Sequence, residues 1–347
     1  MKKALCIAAA LLLVLLQAQA CGEEAFRRAN SIGNFSEGYA AFSDENGLWG
    51  YIDRTGSVVI EPQWDLADRF SGGVARIGVS RAGASGRLYG YIDTAGEIVF
   101  PAVCSAATDF YEGLATVNVD GEYGFITPDG EYAFDGRWSD AGYFSDGMAY
   151  VRINGLYGFI DHTGAVVIEP AWDDVYSFSE NRAAVEKDGL WGFIDNAGSV
   201  VIEPQYDTGE RFSDGLAPAE KDGLSGYIAP DGSVVIPLQY DSTAYVYNNR
   251  AWVKRDGAYQ MIDKTGAKIG ESQWRNVFSD FGWADLCRVN QDGLWGYVNA
   301  DNVLVLDAVY EKATRFSDGA AAVKKNGRWY LIDESGVDIC SGENTQN

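Results

Sequence analysis

The supply of histidine limits the acid–base chemistry that this chain could perform. His162 is the only histidine in the sequence. A Ser-His-Asp triad requires a histidine beside a nucleophile, and a zinc site built on histidine requires several. His162 lies in an Asp-His-Thr-Gly stretch whose counterparts elsewhere carry Arg54, Asn196 or Lys264. A position that accepts such different side chains is typical of an exposed turn, so we interpret His162 as structural.

Carboxylates are the other groups that could carry chemistry. Glu61, Glu169 and Glu203 each precede a proline or an equivalent turn at one recurring register. A glycosidase uses one specific carboxylate pair rather than a periodic series. Recurring aspartates in turns supply one or two carboxylates each, whereas Ca²⁺ takes about six to eight oxygen ligands. We therefore predict no catalytic residues, no cofactor and no metal site.

The charge balance excludes one class of partner. The chain has 27 basic and 50 acidic residues, a net charge of −23. Nucleic-acid binding requires a basic face, so we expect no nucleic-acid partner, and adhesion to anionic lipids is excluded for the same reason. Beyond the N-terminal segment, Cys104, Cys287 and Cys340 could form at most one disulfide bond.

A repeated sequence dominates the chain. The stretch GLWGYIDRTGSVVIEPQWD, from Gly47 to Asp65, returns in nine copies, mostly at steps of 34 residues. A fixed period in this range indicates a repeat architecture. Seven aromatic residues are predicted to form a core between repeats. Six stand first in a Trp-Gly or Tyr-Gly pair, namely Trp49, Tyr89, Tyr123, Tyr157, Trp191 and Trp295, and Trp329 takes the same place in the last copy, where Tyr330 replaces the glycine.

Each copy reads as short strands joined by tight turns. Aromatic and β-branched runs end at Gly, Asp and Asn, as strands in hairpins do, and no helical spacing persists. An Asp followed three residues later by Gly predicts a type I turn closed by a residue with positive φ. The glycine of the Trp-Gly pair predicts a close approach of a neighbouring backbone or ring. Phe-Ser-x-Gly opens most copies, and its ring is expected in the same core.

Two all-β architectures fit tandem antiparallel meanders of this length. A closed β-propeller would make each copy a blade, but nine exceeds the usual number of about four to eight, and 34 residues is short for four strands. An open β-superhelical array needs no ring closure, because each repeat stacks on its neighbours. We favour the open array and keep the propeller as the alternative.

The N-terminal segment predicts export. Lys2 and Lys3 precede an apolar run from Ala4 to Leu16, too short for a membrane span and typical of a signal peptide. Cleavage before Cys21 would leave either a lipidated cysteine or a secreted chain, and we favour a cell-envelope lipoprotein over a secreted or periplasmic protein. We therefore divide the chain into a signal peptide (1–20), a linker (21–31), nine repeats (32–341) and a tail (342–347).

The motifs GLWGYID, GFID, DxxGxVVIEPQYD and FSDGLA resemble those of the bacterial WG-repeat proteins, and the resemblance covers roughly Ile32 to Ile339. It implies a β-rich repeat that mediates binding, and it implies no catalytic residues. The third copy (Ile126 to Trp138) and the seventh (Ala258 to Gly270) depart from the pattern.

For function, we expect a binding module of the cell envelope whose ligand is a protein or a cell-wall polymer, with the membrane reached only through lipid on Cys21. A carbohydrate-active enzyme outside the cytoplasm and a spacer without a ligand are the alternatives. Two stretches interrupt the period and could carry a contact: the insertion from Gly78 to Leu88, and the aromatic stretch from Trp274 to Arg288.

Overall fold

The fold consists of nine antiparallel β-sheets in chain order, each of three or four strands. The computed structural model describes residues 26–346, except residues 82, 84 and 279–284. Phe26 and Arg27 have helical backbone, and the regular elements that follow are strands. Each sheet is formed by one repeat, so the sequence period and the structural period coincide. We call the sheets blades 1 to 9.

The first strand of a blade is short and lies at one edge of its sheet. In blade 4 a single bridge between Ala141 and Val151 takes its place. The first strands are β1 Ser31–Ile32, β5 Leu66–Ser71, β9 Ala106–Ala107, β15 Asp174–Val175, β19 Thr208–Gly209, β23 Ser242–Thr243, β27 Asn276–Val277 and β31 Lys312–Ala313.

The second and third strands form a hairpin in every blade, which is tight except in blades 1 and 2. The second strands are β2 Tyr39–Ser43, β6 Val74–Ser80, β10 Ala115–Val119, β12 Ala149–Ile153, β16 Arg182–Lys187, β20 Ala217–Lys221, β24 Arg250–Arg255, β28 Cys287–Gln291 and β32 Ala321–Lys325. The third strands are β3 Trp49–Asp53, β7 Arg87–Asp93, β11 Glu122–Ile126, β13 Leu156–Ile160, β17 Leu190–Asp195, β21 Leu224–Ile228, β25 Ala258–Asp263, β29 Leu294–Val298 and β33 Arg328–Ile332.

The fourth strand is at the opposite edge of the blade from the first. In blades 3 and 9 it is reduced to isolated bridges, such as Tyr123 with Trp138 and Ile332 with Asp338. The fourth strands are β4 Val58–Trp64, β8 Ile98–Cys104, β14 Val166–Trp172, β18 Val200–Tyr206, β22 Val234–Tyr240, β26 Lys268–Trp274 and β30 Leu304–Tyr310.

The turn between the third and fourth strands has the predicted chemistry. Asp53 Oδ1 accepts hydrogen bonds from the backbone N–H groups of Thr55 and Ser57, at 2.8 and 3.0 Å. Gly56 follows with a φ of +81°, a conformation that glycine adopts without steric cost. In blade 8 Asn302 takes this place with a φ of +60°, and its amide also donates to two carbonyl groups of blade 7.

The glycine of the Trp-Gly pair meets the backbone of its own blade. A Cβ atom on Gly192 would lie 2.4 Å from the Ile202 carbonyl oxygen and 2.6 Å from the Pro204 nitrogen. The pairing of β17 with β18 shifts register beside this glycine, so the fourth strand bulges toward the third at its Glu-Pro step. The close approach is therefore made by a neighbouring strand and not by a ring of the next repeat.

Aromatic packing and hydrogen bonds join each blade to the next. The Tyr51 ring of blade 1 packs on Phe70 of blade 2 with centroids 4.7 Å apart, and the Tyr51 hydroxyl donates to the Asp68 carbonyl at 2.7 Å. Phe193 packs on Phe212 in the same way between blades 5 and 6. The phenylalanine of Phe-Ser-x-Gly thus fills the interface between blades, as predicted.

A carboxylate in the same motif adds an inter-blade clamp. Glu180 accepts a hydrogen bond from the Gly215 N–H of the following blade at 2.8 Å, and Asp214 accepts one from Asn249 at 2.6 Å. The residues that bind a backbone N–H of the following blade in this way are Glu37, Glu112, Asp146, Glu180, Asp214 and Asp318.

Blade 9 packs on blade 1, so the array is closed. Asp318 accepts a hydrogen bond from the Gly38 N–H at 2.9 Å, and the Trp329 indole donates to the Ala29 carbonyl at 2.8 Å. Phe26, Phe35, Trp329 and Leu331 belong to one buried cluster. The structure is therefore a nine-bladed β-propeller. The all-β repeat prediction is confirmed, but the preferred open array is wrong and its closed alternative is correct.

The physical reason for this correction lies in the size of a blade. The first strand is two residues long in most blades, and two-residue turns join the second strand to the third in blades 3 to 9, so 34 residues suffice for four strands. A blade whose first strand is this short leaves room for nine blades around one axis. The count of about four to eight blades that is usual for propellers is therefore not a limit here.

The boundaries of the repeat region also need correction. Arg27, assigned to a linker, forms a buried ion pair with Asp338 at 2.9 Å, and Phe26 is in the core. Thr345, assigned to a tail, is buried and donates to the Gly336 carbonyl at 2.7 Å. From residue 26 onward both segments belong to the ring. The predicted signal peptide and Cys21 lie outside the described residues.

The described residues contain no helix long and apolar enough to cross a membrane. Cys104 is buried, and burial raises the pKa of its thiol to about 12, so this cysteine is unreactive at neutral pH.

Replacing Gly192 with alanine is expected to lower the free energy of unfolding by about 1–3 kcal/mol, because the added methyl group would clash with the β18 backbone. Gly33→Ala is the control: its Cβ would be 3.5 Å from the nearest atom, the Ala41 oxygen, and its φ is not positive. We expect a change within about 0.5 kcal/mol there. Chemical denaturation measures both, and equal effects would contradict the bulge argument.

Asp318→Ala is expected to loosen the joint between blades 9 and 1 without affecting the other interfaces. Asp318 binds Gly38 N–H and Arg54, and Asp214 binds Asn249 N–H and Lys264 in the same way between blades 6 and 7. Asp214→Ala is therefore a matched control. Each variant should lose about 1 kcal/mol of stability. Only Asp318→Ala should accelerate hydrogen exchange in β1, β2 and β32, because only that joint lacks a covalent connection.

The difference in stability between wild type and Asp318→Ala has a defined pH dependence. The Gly38 N–H, followed by Arg54, lowers the pKa of Asp318. A lowered pKa means that the stabilisation is complete above the ordinary aspartate pKa and disappears as the pH falls through the lower folded value. The difference between wild type and Asp318→Ala should therefore vanish in acid. A difference that persisted well below that value would show that the carboxylate charge is not responsible.

Candidate functional site

The residues that the sequence singled out as candidates for chemistry do not form a catalytic or metal-binding group among the described residues. His162 is 42% exposed, stacks on Phe144 at 4.2 Å and lies 3.4 Å from Glu112. Glu61, Glu169 and Glu203 are exposed on fourth strands. Among the described residues the buried carboxylate is Asp338, which is paired with Arg27. In that same part of the chain, no three potential metal-ligating side chains lie close together.

Five of the seven predicted core aromatics lie at the margin of the core rather than at its centre. Tyr157 and Trp329 are buried. The others are partly buried and pack against the hydrophobic clusters of their blades: Trp49, Tyr89, Tyr123, Trp191 and Trp295. The residue two positions later, such as Tyr51 or Phe193, occupies the centre instead. Part of each partly buried ring therefore remains accessible.

The described residues of the two stretches that interrupt the period belong to different blades. The insertion of blade 2 extends the hairpin of β6 and β7 and leaves Arg81 exposed. Trp274 is buried and donates to Asn302 at 2.8 Å, so it is structural. Phe281 and Trp283 lie outside the described residues.

Concave surface is found where the blades converge. The Arg211 guanidinium of blade 6 lies 3.1 Å from the Tyr143 hydroxyl of blade 4, and blades separated by another blade can meet only near the axis of a ring. Arg211 lies two positions after the first strand of its blade, and Tyr143 lies two positions after the Ala141 bridge that takes the place of that strand in blade 4. The first strands therefore face the central axis, and the fourth strands face outward.

A pocket of about 400 Å³ lies at this position and spans blades 4 to 7. Its size is in the range of small-molecule sites. We call it the aromatic pocket, because five rings line it together with Asp174, Ser177 and Arg211. The rings are Tyr143, Tyr150, Tyr176, Trp191 and Tyr245.

The geometry of the aromatic pocket is fixed by contacts among its own side chains. The ring of Tyr176 lies 5.2 Å from that of Trp191, inclined by 44°. The Arg211 guanidinium lies 4.9 Å from the centre of the Tyr245 ring, a cation–π geometry. The Tyr245 hydroxyl in turn donates to Glu210. The pocket thus presents one fixed positive charge between aromatic faces.

The hydroxyls of Tyr150, Tyr176 and Tyr245 remain protonated near neutral pH. Burial, with a smaller effect of Asp140, raises the pKa of Tyr150 to about 12. Burial followed by Glu210 and Asp174 raises the pKa of Tyr176, and burial followed by the hydrogen bond to Glu210 raises that of Tyr245. These groups are therefore neutral hydrogen-bond donors.

A second pocket of about 400 Å³ occupies the corresponding place in blades 1 to 3 and gives an internal comparison. We call it the charged pocket, since Asp68, Arg69, Arg76 and Asp109 line it with Trp49. Arg76 binds Asp68 at 2.7 Å and Arg69 lies 3.3 Å from Asp109. Its charges therefore neutralise one another.

The strand register identifies which residue of the charged pocket is equivalent to each residue of the aromatic pocket. Tyr150 pairs with Phe159, and Ala41 pairs with the equivalent Tyr51. Tyr176 corresponds to Asp68 in the charged pocket. In other blades the same position holds Gly33, Thr108, Ala244 or Phe278. The backbone N–H of each donates to a carbonyl group of the second strand of its own blade. The fold therefore accepts alanine or aspartate where the aromatic pocket has tyrosine, and folding alone does not require these rings.

Sequence reasoning overlooked this site because it concentrated on what the repeats share. The pocket residues occupy positions at which the repeats differ, apart from Trp191. The residue before the phenylalanine of Phe-Ser-x-Gly is Asn34, Arg69, Tyr143, Ser177, Arg211 or Arg315 in different copies. Variation at one fixed register was the available signal.

The family and structure comparisons agree with the repeat geometry. A model of the WG containing repeat matches residues 49–79, 89–123, 123–157, 157–191, 191–224, 226–259 and 295–329. The stretch between residues 259 and 295, where Gln260 replaces the usual glycine, lies outside these matches. A search of curated proteins found no match.

Three similar solved structures share low sequence identity with this chain. A eukaryotic initiation factor has 11% identity and a TM-score of 0.56 over 80% of this chain and 86% of that one. BamB from Moraxella catarrhalis has 15% identity and a TM-score of 0.42, covering 86% and 90%. AztD from Citrobacter koseri has 13% identity and a TM-score of 0.41, covering 88% and 92%. Identity this low concerns the fold alone.

Proposed function

This chain belongs to the family of WG-containing repeat proteins, and from that premise we propose that it is an exported, non-catalytic binding module of the cell envelope. The observation that carries the proposal is the aromatic pocket. Exposed aromatic faces beside a charged group are typical of recognition sites. The closed ring of blades supplies a rigid frame for this pocket, because each blade packs against a neighbouring blade on both sides.

The distribution of carboxylates supports binding rather than hydrolysis. Glycosidases hold two carboxyl groups across the scissile bond, one of them with a raised pKa. The aromatic pocket is lined by one carboxylate, Asp174, and the adjacent Glu210 is bound by the Tyr245 hydroxyl. The periodic Glu61, Glu169 and Glu203 are on the outside of the ring and away from this pocket.

The cellular location in this proposal rests on the N-terminal sequence. A positive Lys2-Lys3 start, an apolar run and Cys21 after Ala18-Gln19-Ala20 favour a lipid-anchored protein outside the cytoplasm, with secretion or periplasmic release as the alternative. The ligand would then be a protein or a cell-wall polymer. A net charge of −23 opposes nucleic acid as a partner.

Capture of an envelope component tests the binding proposal. The chain from Gly22 onward, used as bait, is expected to retain a ligand from envelope extract that excess untagged chain displaces. Tyr176→Ala should reduce this retention strongly. Phe278→Ala is the matched control: Phe278 is 43% exposed at the equivalent position and packs on Trp295 at 5.0 Å, outside the pocket. No competed ligand, or equal loss in both variants, would contradict the proposal.

Metabolic labelling tests the anchor. Full-length chain expressed in a bacterium with radiolabelled palmitate should carry the label and sediment with membranes. Cys21→Ser should lose both properties. An unlabelled, processed wild-type chain in the soluble fraction would instead indicate ordinary secretion after Ala20.

A further inference from the structure

We propose that the aromatic pocket binds a carbohydrate chain, with a pyranose ring seated against Tyr176 and Trp191. The inference rests on the proposed function, because it specifies the ligand class of the same site. It follows from three properties of the pocket: open aromatic faces, polar groups at their edges, and backbone donors that are already engaged.

The aromatic faces suit a sugar ring. Tyr176 is 40% exposed, and its plane is inclined by 44° to the plane of Trp191 at a separation of 5.2 Å. A pyranose presents C–H groups on its faces, and these pack against the negative face of an aromatic ring. Both rings line the same pocket, so they offer adjoining aromatic surface to one ligand ring.

The polar groups suit hydroxyl groups around such a ring. Asp174 offers carboxylate acceptors, whereas Arg211 and the neutral hydroxyls of Tyr150 and Tyr176 offer donors. Sugar hydroxyls both donate and accept, so they can use acceptors and donors on opposite sides of one pocket. Arg211 could also bind a carboxylate on an acidic sugar, since guanidinium matches carboxylate geometry.

The backbone of the pocket is poorly suited to an extended peptide. A peptide that adds to a sheet edge needs open backbone donors. The Val175 N–H of β15 donates to the carboxylate of Asp174 at 2.8 Å, and the Tyr176 N–H donates to the Ala184 carbonyl at 2.9 Å. Recognition at this strand therefore depends on side chains.

A cationic ligand is also disfavoured. The face of Tyr245 is already covered by the Arg211 guanidinium, 4.9 Å from its centre. A second positive charge in the pocket would be repelled by Arg211, although the chain as a whole is acidic. A sugar, neutral or carboxylated, avoids this repulsion.

Calorimetric titration with defined oligosaccharides tests the inference. The probes are cellohexaose and chitohexaose as neutral chains and hexagalacturonic acid as a carboxylated chain, each up to about 10 mM so that weak affinities are measured. At least one should bind saturably to the chain from Gly22 onward. Tyr176→Ala should weaken that binding about tenfold or more, whereas Phe278→Ala should leave it unchanged.

The pattern of outcomes distinguishes recognition of the sugar ring from recognition of its carboxylate, and it distinguishes failure of the carbohydrate inference from failure of the proposed function. Binding of neutral and acidic hexamers alike supports recognition of the ring face. Binding of the acidic hexamer alone, lost in Arg211→Gln, supports recognition of its carboxylate. An envelope protein captured through Tyr176 with no hexamer bound would overturn the carbohydrate inference and leave the binding module in place. If envelope capture finds no competed ligand and titration finds no bound hexamer, both proposals are overturned. Circular dichroism and thermal unfolding establish that each variant is folded.

Discussion

The joint between the ninth blade and the first is the contact on which the rest of the ring depends. Every other pair of neighbours is held by a covalent connection as well as by packing. Here the blades are held by non-covalent contacts, among them the buried cluster around Phe26 and Trp329, the Arg27–Asp338 ion pair and the Asp318 clamp. A buried ion pair contributes little net stability but is costly to break, so it favours one register of closure over a slipped one.

Closure also explains why the residues nearest the axis can form pockets. When blades converge, the residues that follow their first strands approach those of blades on either side, as Arg211 and Tyr143 do. An open array would separate these residues and leave the rings as a ladder along one face. The aromatic pocket is thus a product of ring geometry, and its aromatic character comes from residues that vary between repeats.

The sequence was sufficient to predict the repeated part of the structure. The Asp and Gly of each turn, the glycine beside the bulge and the phenylalanine between blades act through local backbone geometry or nearest neighbours, so their recurrence indicates their roles. Ring closure involves residues such as Arg27 and Asp338, which are 311 positions apart and occur once each. Periodicity contains no information about such a pair. The same holds for the pocket, which combines residues from four blades.

Each sheet is built from one uninterrupted stretch of chain. Blade 1 takes its strands from β1 to β4, and blade 9 takes its strands from β31 to β33 and the residues after them, so no strand is exchanged across the joint. A gene duplication or deletion of one unit of about 34 residues would therefore add or remove a complete blade without splitting a sheet. Blade number in this architecture can change by whole-unit steps during evolution, while a pocket confined to four neighbouring blades is inherited intact.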